Sequence, residues 1–324
     1  MARPRFSVIV PVYNRPQEVE ELLQSLTRQT YPSFEVLLVE DGSTVTSRSV
    51  FERYATQLNL HYFFKPNSGP GPSRNFGFER ATGDYLVVFD SDCVIPSRYF
   101  ETVVHHLQHE PLDAWGGPDR GHADFTLLQQ AMAYTMSATL TTGGIRGGKQ
   151  HLGAFQPRSF NMGMSRAVYQ ETGGFRFDRF AEDIELSIRI RKLGFRVGLI
   201  PEAYVYHKRR TTWQQFFRQV SNFGKGRVLV GRAHPGELKL THWFPSLFLV
   251  GLATVPLLLI GWFLLGLLAA GAYAVYFALL FISALWSTRS AAVALLAIPA
   301  ALVQLGGYGF GFLKELLKTY IQPS

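Results

Sequence analysis

The sequence contains the segment Tyr85-Leu-Val-Val-Phe-Asp-Ser-Asp92, a run of aliphatic and aromatic residues followed at once by two carboxylates. The run predicts a buried strand over residues 85–89. Ligands of parallel α/β sheets bind beyond the carboxyl ends of the strands, so Asp90 and Asp92 are candidate site residues. If the strand geometry continues, the two side chains share one face, where like charges need a cation between them. The pair therefore predicts a Mg²⁺ or Mn²⁺ site that substrate phosphates complete.

Short β-branched runs and amphipathic segments alternate on both sides of this segment, which predicts an α/β fold with crossover helices. The first half of the chain is expected to contain strands at 7–12, 35–40, 61–64 and 85–89 and helices at 18–30, 47–57 and 73–80. After a region rich in Gly and Thr, the pattern favours helices at 126–140, 166–172, 182–193 and 213–224 and strands at 160–164, 196–200 and 203–207.

Two further acidic pairs occupy positions suited to chemistry. Glu40 and Asp41 close the second predicted strand. Glu182 and Asp183 begin a predicted helix, whose positive end favours an ionised carboxylate; capping is the alternative interpretation. His207 ends a short strand, and its spacing allows either a third metal ligand or a member of the basic segment that follows.

The segment 65–75 reads KPNSGPGPSRN and ends in Arg74 beside a predicted helix start. A backbone loop with a guanidinium can hold a diphosphate, because arginine binds phosphate oxygens bidentately. The segment lacks the Gly-Lys-Ser/Thr ending of a P-loop.

The formal charge of +8 is distributed unevenly along the 324 residues. Residues 1–206 contain 21 basic and 22 acidic residues, whereas 207–242 contain eight basic residues and Glu237 alone. No charged residue follows from Trp243 to Thr288 or from Ser290 to Leu313. About 20 apolar residues cross a bilayer, so these runs predict two or three spans, at about 243–265, 268–287 and 290–313. The basicity therefore points to a membrane and not to nucleic acid.

Three domains are expected: 1–210 as the α/β domain, 211–242 as basic amphipathic helices and 243–324 as the membrane region. No signal peptide is visible, and positive charge before the first span places the α/β domain in the cytoplasm. Aromatic residues between Trp213 and Phe223 form one helix face, which lies either in the membrane interface or against the globular domain. Three full spans would put Lys314 and Lys318 outside; a re-entrant last segment, broken at Pro299 and the glycines after it, would keep them inside.

Seven segments, in this order, resemble the family 2 glycosyltransferases, which are inverting nucleotide-sugar enzymes with the GT-A fold. They are Ser7-Val-Ile-Val-Pro-Val-Tyr-Asn14, Val39-Glu-Asp-Gly-Ser43, Ser73-Arg-Asn-Phe-Gly77, Asp90-Ser-Asp92, Thr172-Gly-Gly-Phe175, Glu182-Asp183 with Arg189, and His207.

The resemblance implies that Pro11, Tyr13 and Asp41 hold the nucleobase and ribose. Asn14 and Glu40 belong to the same nucleotide site, and Arg74 lies near the diphosphate. Asp90 and Asp92 bind nucleotide and metal, with His207 as a further ligand, and Asp183, beside Glu182, is the general base. Arg15 stands where the family often has an acidic residue. The Gln-x-x-Arg-Trp motif of processive synthases ends here as Arg218-Gln219, which predicts transfer of one or few sugars.

The sequence therefore predicts a metal-dependent transferase of the inner membrane that uses a nucleotide-diphosphate sugar, with a UDP sugar as the expected donor. The expected acceptor is lipid-linked or an envelope polysaccharide. The alternatives are a polyprenyl-phosphate glycosyltransferase and a non-catalytic membrane scaffold that binds nucleotide sugars.

Overall fold

The computed structural model describes residues 3–120, 125–142, 155–207 and 211–321. Its contacts divide the chain into two compact units. The α/β unit comprises Met1–His122 and Phe155–Lys208, and the helical unit comprises Ala123–Ala154 and Arg209–Ser324. The helical unit thus includes a segment from within the predicted domain 1–210. The three predicted domain boundaries remain predictions.

The α/β unit contains ten strands and six helices among its described residues. The strands are β1 (Phe6–Val12), β2 (Phe34–Asp41), β3 (Leu60–Lys65), β4 (Tyr85–Phe89), β5 (Cys93–Val94), β6 (Ala114–Gly116), β7 (Asp119–Arg120), β8 (Asn161–Ser165), β9 (Val197–Leu199) and β10 (Val205–His207). The helices are α1 (Pro16–Leu26), α2 (Arg48–Tyr54), α3 (Pro70–Arg80), α4 (Tyr99–His109), α7 (Arg166–Thr172) and α8 (Glu182–Lys192).

The main sheet has seven strands in the order β3-β2-β1-β4-β8-β6-β9. The strands β1 to β4 pair in parallel, as the alternating pattern predicts. Strand β8 runs antiparallel between β4 and β6, so the complete sheet is mixed. A second sheet, in the order β5-β10-β7, sets His207 opposite Cys93. The predicted α/β fold class is confirmed.

The core lies on both faces of the main sheet because its central strands are apolar on both sides. On β1, Val8 and Val10 belong to the cluster that α1 covers with Leu22 and Leu23. The intervening Ile9 belongs to the opposite cluster, which includes Leu186 of α8. Helices therefore cover both faces and leave the carboxyl ends of β1, β2 and β4 to the loops.

Several boundaries differ from the prediction where tertiary contacts replace local ones. Helix α1 ends at Leu26 and not at Thr30, because the amide of Thr30 donates to the carbonyl of Ser97 at 3.0 Å. Helix α9 (Trp213–Ala233) passes through Gly224, where the prediction ended it. An added Cβ at Gly224 would meet the backbone of Tyr308, so this glycine serves close packing and does not end the helix.

Among its described residues, the helical unit contains α9, a short 3-10 helix (Leu240–Trp243) and five further α-helices: α5 (Leu127–Ser137), α6 (Thr139–Thr142), α10 (Phe244–Gly261), α11 (Phe263–Thr288) and α12 (Ala291–Ile321). Three helical segments, Leu240–Gly261, Phe263–Thr288 and Ala291–Thr319, are long and apolar enough to cross a membrane. Tyr134 of α5 donates to the hydroxyl of Ser283 on α11 at 2.8 Å. A second hydroxyl, of Tyr276, donates to the carbonyl of Leu140 at 3.1 Å.

Helix α12 is continuous through Pro299 and the following glycines, so the alternative of a last segment broken at these residues is wrong. A Cβ added to Gly307 would meet Val220 of α9, and one added to Gly311 would meet Ser221. Small residues at such positions let helix backbones approach closely in a membrane. Gly307 and Gly311 therefore form part of the contact surface for α9, and Gly309 faces Pro245 of α10, so these glycines serve helix packing instead of interrupting α12.

The aromatic face of α9 packs within the helical unit, although Phe217 remains 40% exposed. Phe216 and Val220 are each 1% exposed and pack in one cluster with Met132 of α5 and Ala300 of α12. The two alternatives for this face were the membrane interface and the globular domain. The structure supports neither in full, because the helices α5 and α12 of the same unit cover much of it.

We expect Gly163→Ala to lower the melting temperature by about 3–10 °C, which corresponds to an overpacking cost of about 1–3 kcal/mol. A Cβ at Gly163 would overlap the indole of Trp115, which is completely buried. The matched control is Gly271→Ala, since that position has no atom within 4 Å of an added Cβ. Thermal unfolding of the detergent-solubilised protein measures both variants, and equal melting temperatures would contradict the packing described.

Candidate active site

Asp41, at the carboxyl end of β2, organises the loop that leads into α3. Its carboxylate accepts hydrogen bonds from the amides of Ser68 and Gly69, both at 2.9 Å, and contacts the ammonium group of Lys65. Burial raises the pKa of Asp41, but the Lys65 and amide hydrogen bonds lower the pKa more, so it lies below its ordinary value. The loop of residues 66–69, which leads into α3, is thus fixed on an ionised carboxylate.

The residues at the end of β1 have two different environments. Tyr13 is 53% exposed, as expected of a side chain that stacks on a ligand. Asn14 adopts a left-handed conformation with φ of 53°, and its side-chain oxygen accepts from the amides of Thr44 and Val45 at 2.9 Å. Pro11 is partly buried in the preceding strand.

Glu40 is completely buried. It accepts a hydrogen bond from the amide of Ser47 at 2.8 Å and one from the hydroxyl of Ser43. The carboxylate therefore shapes the 43–47 turn beside Asp41 from inside the protein.

Arg74 joins three parts of the site. Its guanidinium is buried on α3 and donates to Glu182 at 2.7 Å and to Asp90 at 2.9 Å. The same group lies 5.2 Å from the ring centroid of Phe175. Burial raises the pKa of Glu182 to about 7, against the opposing effect of Arg74. The start of α8 is thereby held next to the turn after β4.

Asp90 and Asp92 do not share a strand face, because β4 ends at Phe89 and the amide of Cys93 closes a turn on the carbonyl of Asp90. The strand ends where the sequence predicts, and the condition for a shared face, that strand geometry continues to Asp92, does not hold. Asp90 is held by Arg74, whereas Asp92 pairs with Arg15 through one oxygen and lies 3.0 Å from Nε2 of His207 through the other.

Asp92 and His207 fit a divalent cation. Together with Cys93 they place one ligand atom each within 4.8 Å of one another. Nδ1 of His207 is buried and has no hydrogen-bond partner among the described residues. The Cys93 thiol is not a suited ligand for Mg²⁺ or Mn²⁺, since these ions prefer oxygen ligands and thiolates select softer metals. A carboxylate suits Mg²⁺ or Mn²⁺, and the imidazole favours a transition metal.

The imidazole of His207 is itself held in place by its surroundings. Burial lowers its pKa, but the hydrogen bond and charge of Asp92 raise that pKa more, so it lies above the ordinary value. The ring also stacks on Phe160 at 5.1 Å between centroids.

Asp183 lies in the first turn of α8, where the helix dipole favours negative charge. Its side chain is 15% exposed, and one oxygen lies 3.8 Å from the guanidinium of Arg158 and 3.4 Å from the amide of Ser159. A carboxylate in this position can accept a proton from a bound hydroxyl group.

The loop before α8 is fixed from two sides. Arg189 pairs with Glu185 at 2.7 Å and donates to the carbonyl of Thr172 at 2.6 Å. Asn75 exchanges two hydrogen bonds with the backbone of Phe175, at 2.7 and 2.8 Å. The motif residues around Phe175 and Arg189 thus set the position of Glu182 and Asp183.

Sequence reasoning missed three partners in the site. Lys65 neutralises Asp41, Arg158 faces Asp183, and Phe160 supports His207. The local pattern contains no signal for the last two. Lys65 is the exception, because it is the first residue of the 65–75 segment, which the sequence marks as a candidate diphosphate site.

Solved structures resemble this architecture over nearly the whole chain. The mannosyltransferase PcManGT from Pyrobaculum calidifontis, solved with GDP-Man and Mn²⁺, has a TM-score of 0.60 at 22% identity and covers 98% of this chain and 88% of its own. Staphylococcus aureus TarS 1–349, solved with UDP-GlcNAc, has a TM-score of 0.51 at 18% identity and covers 99% and 92%. At these identities the likeness shows the fold, which is of the GT-A type.

The sequence comparison defines the family. The model of glycosyl transferase family 2 matches residues 7–173, about half of the chain. The chain belongs to glycosyl transferase family 2.

Curated relatives match parts of this chain. The poly(ribitol-phosphate) beta-N-acetylglucosaminyltransferase TarS of S. aureus is 34% identical over 153 residues, which are 42% of this chain and 27% of TarS. The probable glycosyltransferase YdaM of Bacillus subtilis is 26% identical over 239 residues, 70% of this chain and 56% of YdaM. The chain thus spans about a quarter of TarS and little more than half of YdaM.

We expect Arg74→Lys to destabilise the α/β unit by about 1–3 kcal/mol, because one ammonium group cannot donate to both Asp90 and Glu182 and leaves one carboxylate without its partner. Arg80→Lys, two turns later on the same helix, is the control, since its side chain is 38% exposed. Melting temperature and affinity for a nucleoside diphosphate should both fall in the first variant alone. Equal values in the two variants would contradict the bridging role.

Proposed function

We propose that the protein is a membrane-attached inverting glycosyltransferase that moves a sugar from a nucleotide-diphosphate sugar to an acceptor hydroxyl. The observation that carries this proposal is the double ion pair of Arg74. It joins Asp90, two residues before Asp92, to Glu182, the neighbour of Asp183. A metal-binding carboxylate and a candidate base are thereby brought to the same end of the sheet.

In the proposed reaction, Asp183 accepts the proton of the acceptor hydroxyl while that oxygen forms a bond to the anomeric carbon. The bond from this carbon to the diphosphate oxygen breaks, and the electron pair leaves with the nucleoside diphosphate. Asp92 and His207 would hold a Mg²⁺ or Mn²⁺ ion, which neutralises charge on the departing diphosphate. Asp41 and the exposed ring of Tyr13 hold the nucleoside.

The proposed donor is a UDP sugar and the proposed acceptor is lipid-linked or an envelope polysaccharide. TarS, whose name specifies a poly(ribitol-phosphate) acceptor, supports a polymer. The three apolar helices support an acceptor presented at a membrane. The basic residues of 207–242 support a cytoplasmic α/β unit, because positive segments remain on the inner side.

We expect release of UDP from a UDP sugar by the detergent-solubilised protein, abolished by EDTA and restored by Mn²⁺ or Mg²⁺. Parallel assays with GDP and dTDP sugars identify the nucleotide. Turnover that is unaffected by complete metal removal would contradict the assignment of Asp92 and His207.

We expect Asp183→Asn to lower transfer by about 10²–10⁴-fold with nucleotide affinity unchanged, because the amide cannot accept the proton. Asp178→Asn is the matched control: this residue is exposed in the loop that precedes α8, and its backbone carbonyl, which the variant keeps, accepts from the amide of Gly71. Full activity of the first variant would refute the base assignment. Substantial residual turnover would instead support a polyprenyl-phosphate acceptor, which needs less base catalysis.

A further inference from the structure

We propose that Arg15 is an internal counter-ion of Asp92 that a divalent cation displaces, and that the released guanidinium then binds the diphosphate of the donor. This inference rests on the proposed function, because it requires a nucleotide-bound metal at Asp92. It assigns a role to a residue at which the sequence departs from the pattern of its family.

Both oxygens of Asp92 are engaged. One pairs with the Arg15 guanidinium, and the other lies 3.0 Å from Nε2 of His207. The Asp92 side chain is only 6% exposed, so water contributes little to balancing its charge. A cation that approaches Asp92 therefore competes with the contacts of Arg15 and His207 for the same carboxylate.

Arg15 is the contact that can leave. His207 is fixed by strand pairing of β10 with β5 and by stacking on Phe160. Arg15 has a long side chain that is 33% exposed, and it precedes the first residue of α1, outside the regular helix. A divalent cation near Asp92 would also repel the guanidinium while it attracts the carboxylate.

The backbone keeps the released side chain close to the donor. Arg15 directly follows Asn14, whose side chain is anchored on the amides of Thr44 and Val45 beside the nucleotide-binding turn. A guanidinium suits a diphosphate because its planar fork binds two oxygens at once. The negative charge of the donor thus replaces that of Asp92 as the partner of Arg15.

The Arg15 guanidinium would pair first with Asp92 and then with the diphosphate. Substitution of Arg15 should therefore have opposite effects on the affinities for Mn²⁺ and for UDP. In Arg15→Ala, Mn²⁺ should bind to the nucleotide-free protein about tenfold more tightly, because no cation competes for Asp92. UDP should bind to the Mn²⁺-saturated variant about tenfold more weakly. Arg15→Lys should keep the Mn²⁺ affinity of the unchanged protein and recover only part of the UDP affinity.

Titration of the full-length, detergent-solubilised protein with Mn²⁺ by electron paramagnetic resonance, followed by calorimetry with UDP, measures both affinities. Arg48→Ala is the matched control, as this arginine is 73% exposed and pairs with Glu52 within α2. Asp92→Asn should lose Mn²⁺ binding. Melting temperatures of all variants establish that they are folded.

The outcomes separate the two proposals. If Asp92→Asn loses Mn²⁺ while Arg15→Ala binds it as the unchanged protein does, the metal site stands and the counter-ion role is refuted. Weaker Mn²⁺ binding by Arg15→Ala also refutes that role. If the unchanged protein binds no Mn²⁺, with or without UDP, both the metal site and the inference fail.

Discussion

The buried guanidinium of Arg74 imposes the strictest requirement in the α/β unit. A charge removed from water needs carboxylates in good geometry, and removal of either partner leaves an uncompensated charge. The two carboxylates come from Asp90, after β4, and from Glu182, which is 108 residues away from Arg74 in the sequence. The turn after β4 and the helices α3 and α8 must therefore take their native positions together. The same contacts position Asp92 and Asp183, which are close in sequence to Asp90 and Glu182.

Local pattern was sufficient for the elements that alternate regularly. The strands from β1 to β4 were predictable because burial on two faces produces short apolar runs. The helix that begins at Glu182 was predictable because its acidic first turn and the glycine after its end mark both boundaries. The acidic residues at the strand ends were predictable for the same reason. The order of the seven motifs along the chain matches that of the family, and this order is more specific than any single motif.

Pairings between distant residues were not predictable. Asp90 pairs with Arg74 of α3, whereas Asp92 pairs with Arg15, which precedes α1. The sequence around the two carboxylates does not indicate these different partners. Glu40 reads as a site carboxylate, yet its oxygens serve the 43–47 turn. The glycines of α12 read as helix breaks because the sequence does not show that α9 packs against them. In each case the deciding partner lies outside the window that determines the local pattern.

The membership of Ala123–Ala154 in the helical unit has a consequence for biogenesis. Strand β8 and helix α8 of the α/β unit follow this segment in the chain. The main sheet is therefore still incomplete when residue 122 leaves the ribosome. The partners of α5 on α11 and α12 are synthesised last. Assembly therefore cannot proceed strictly along the chain, because α5 meets its packing partners only after α11 and α12 have been synthesised.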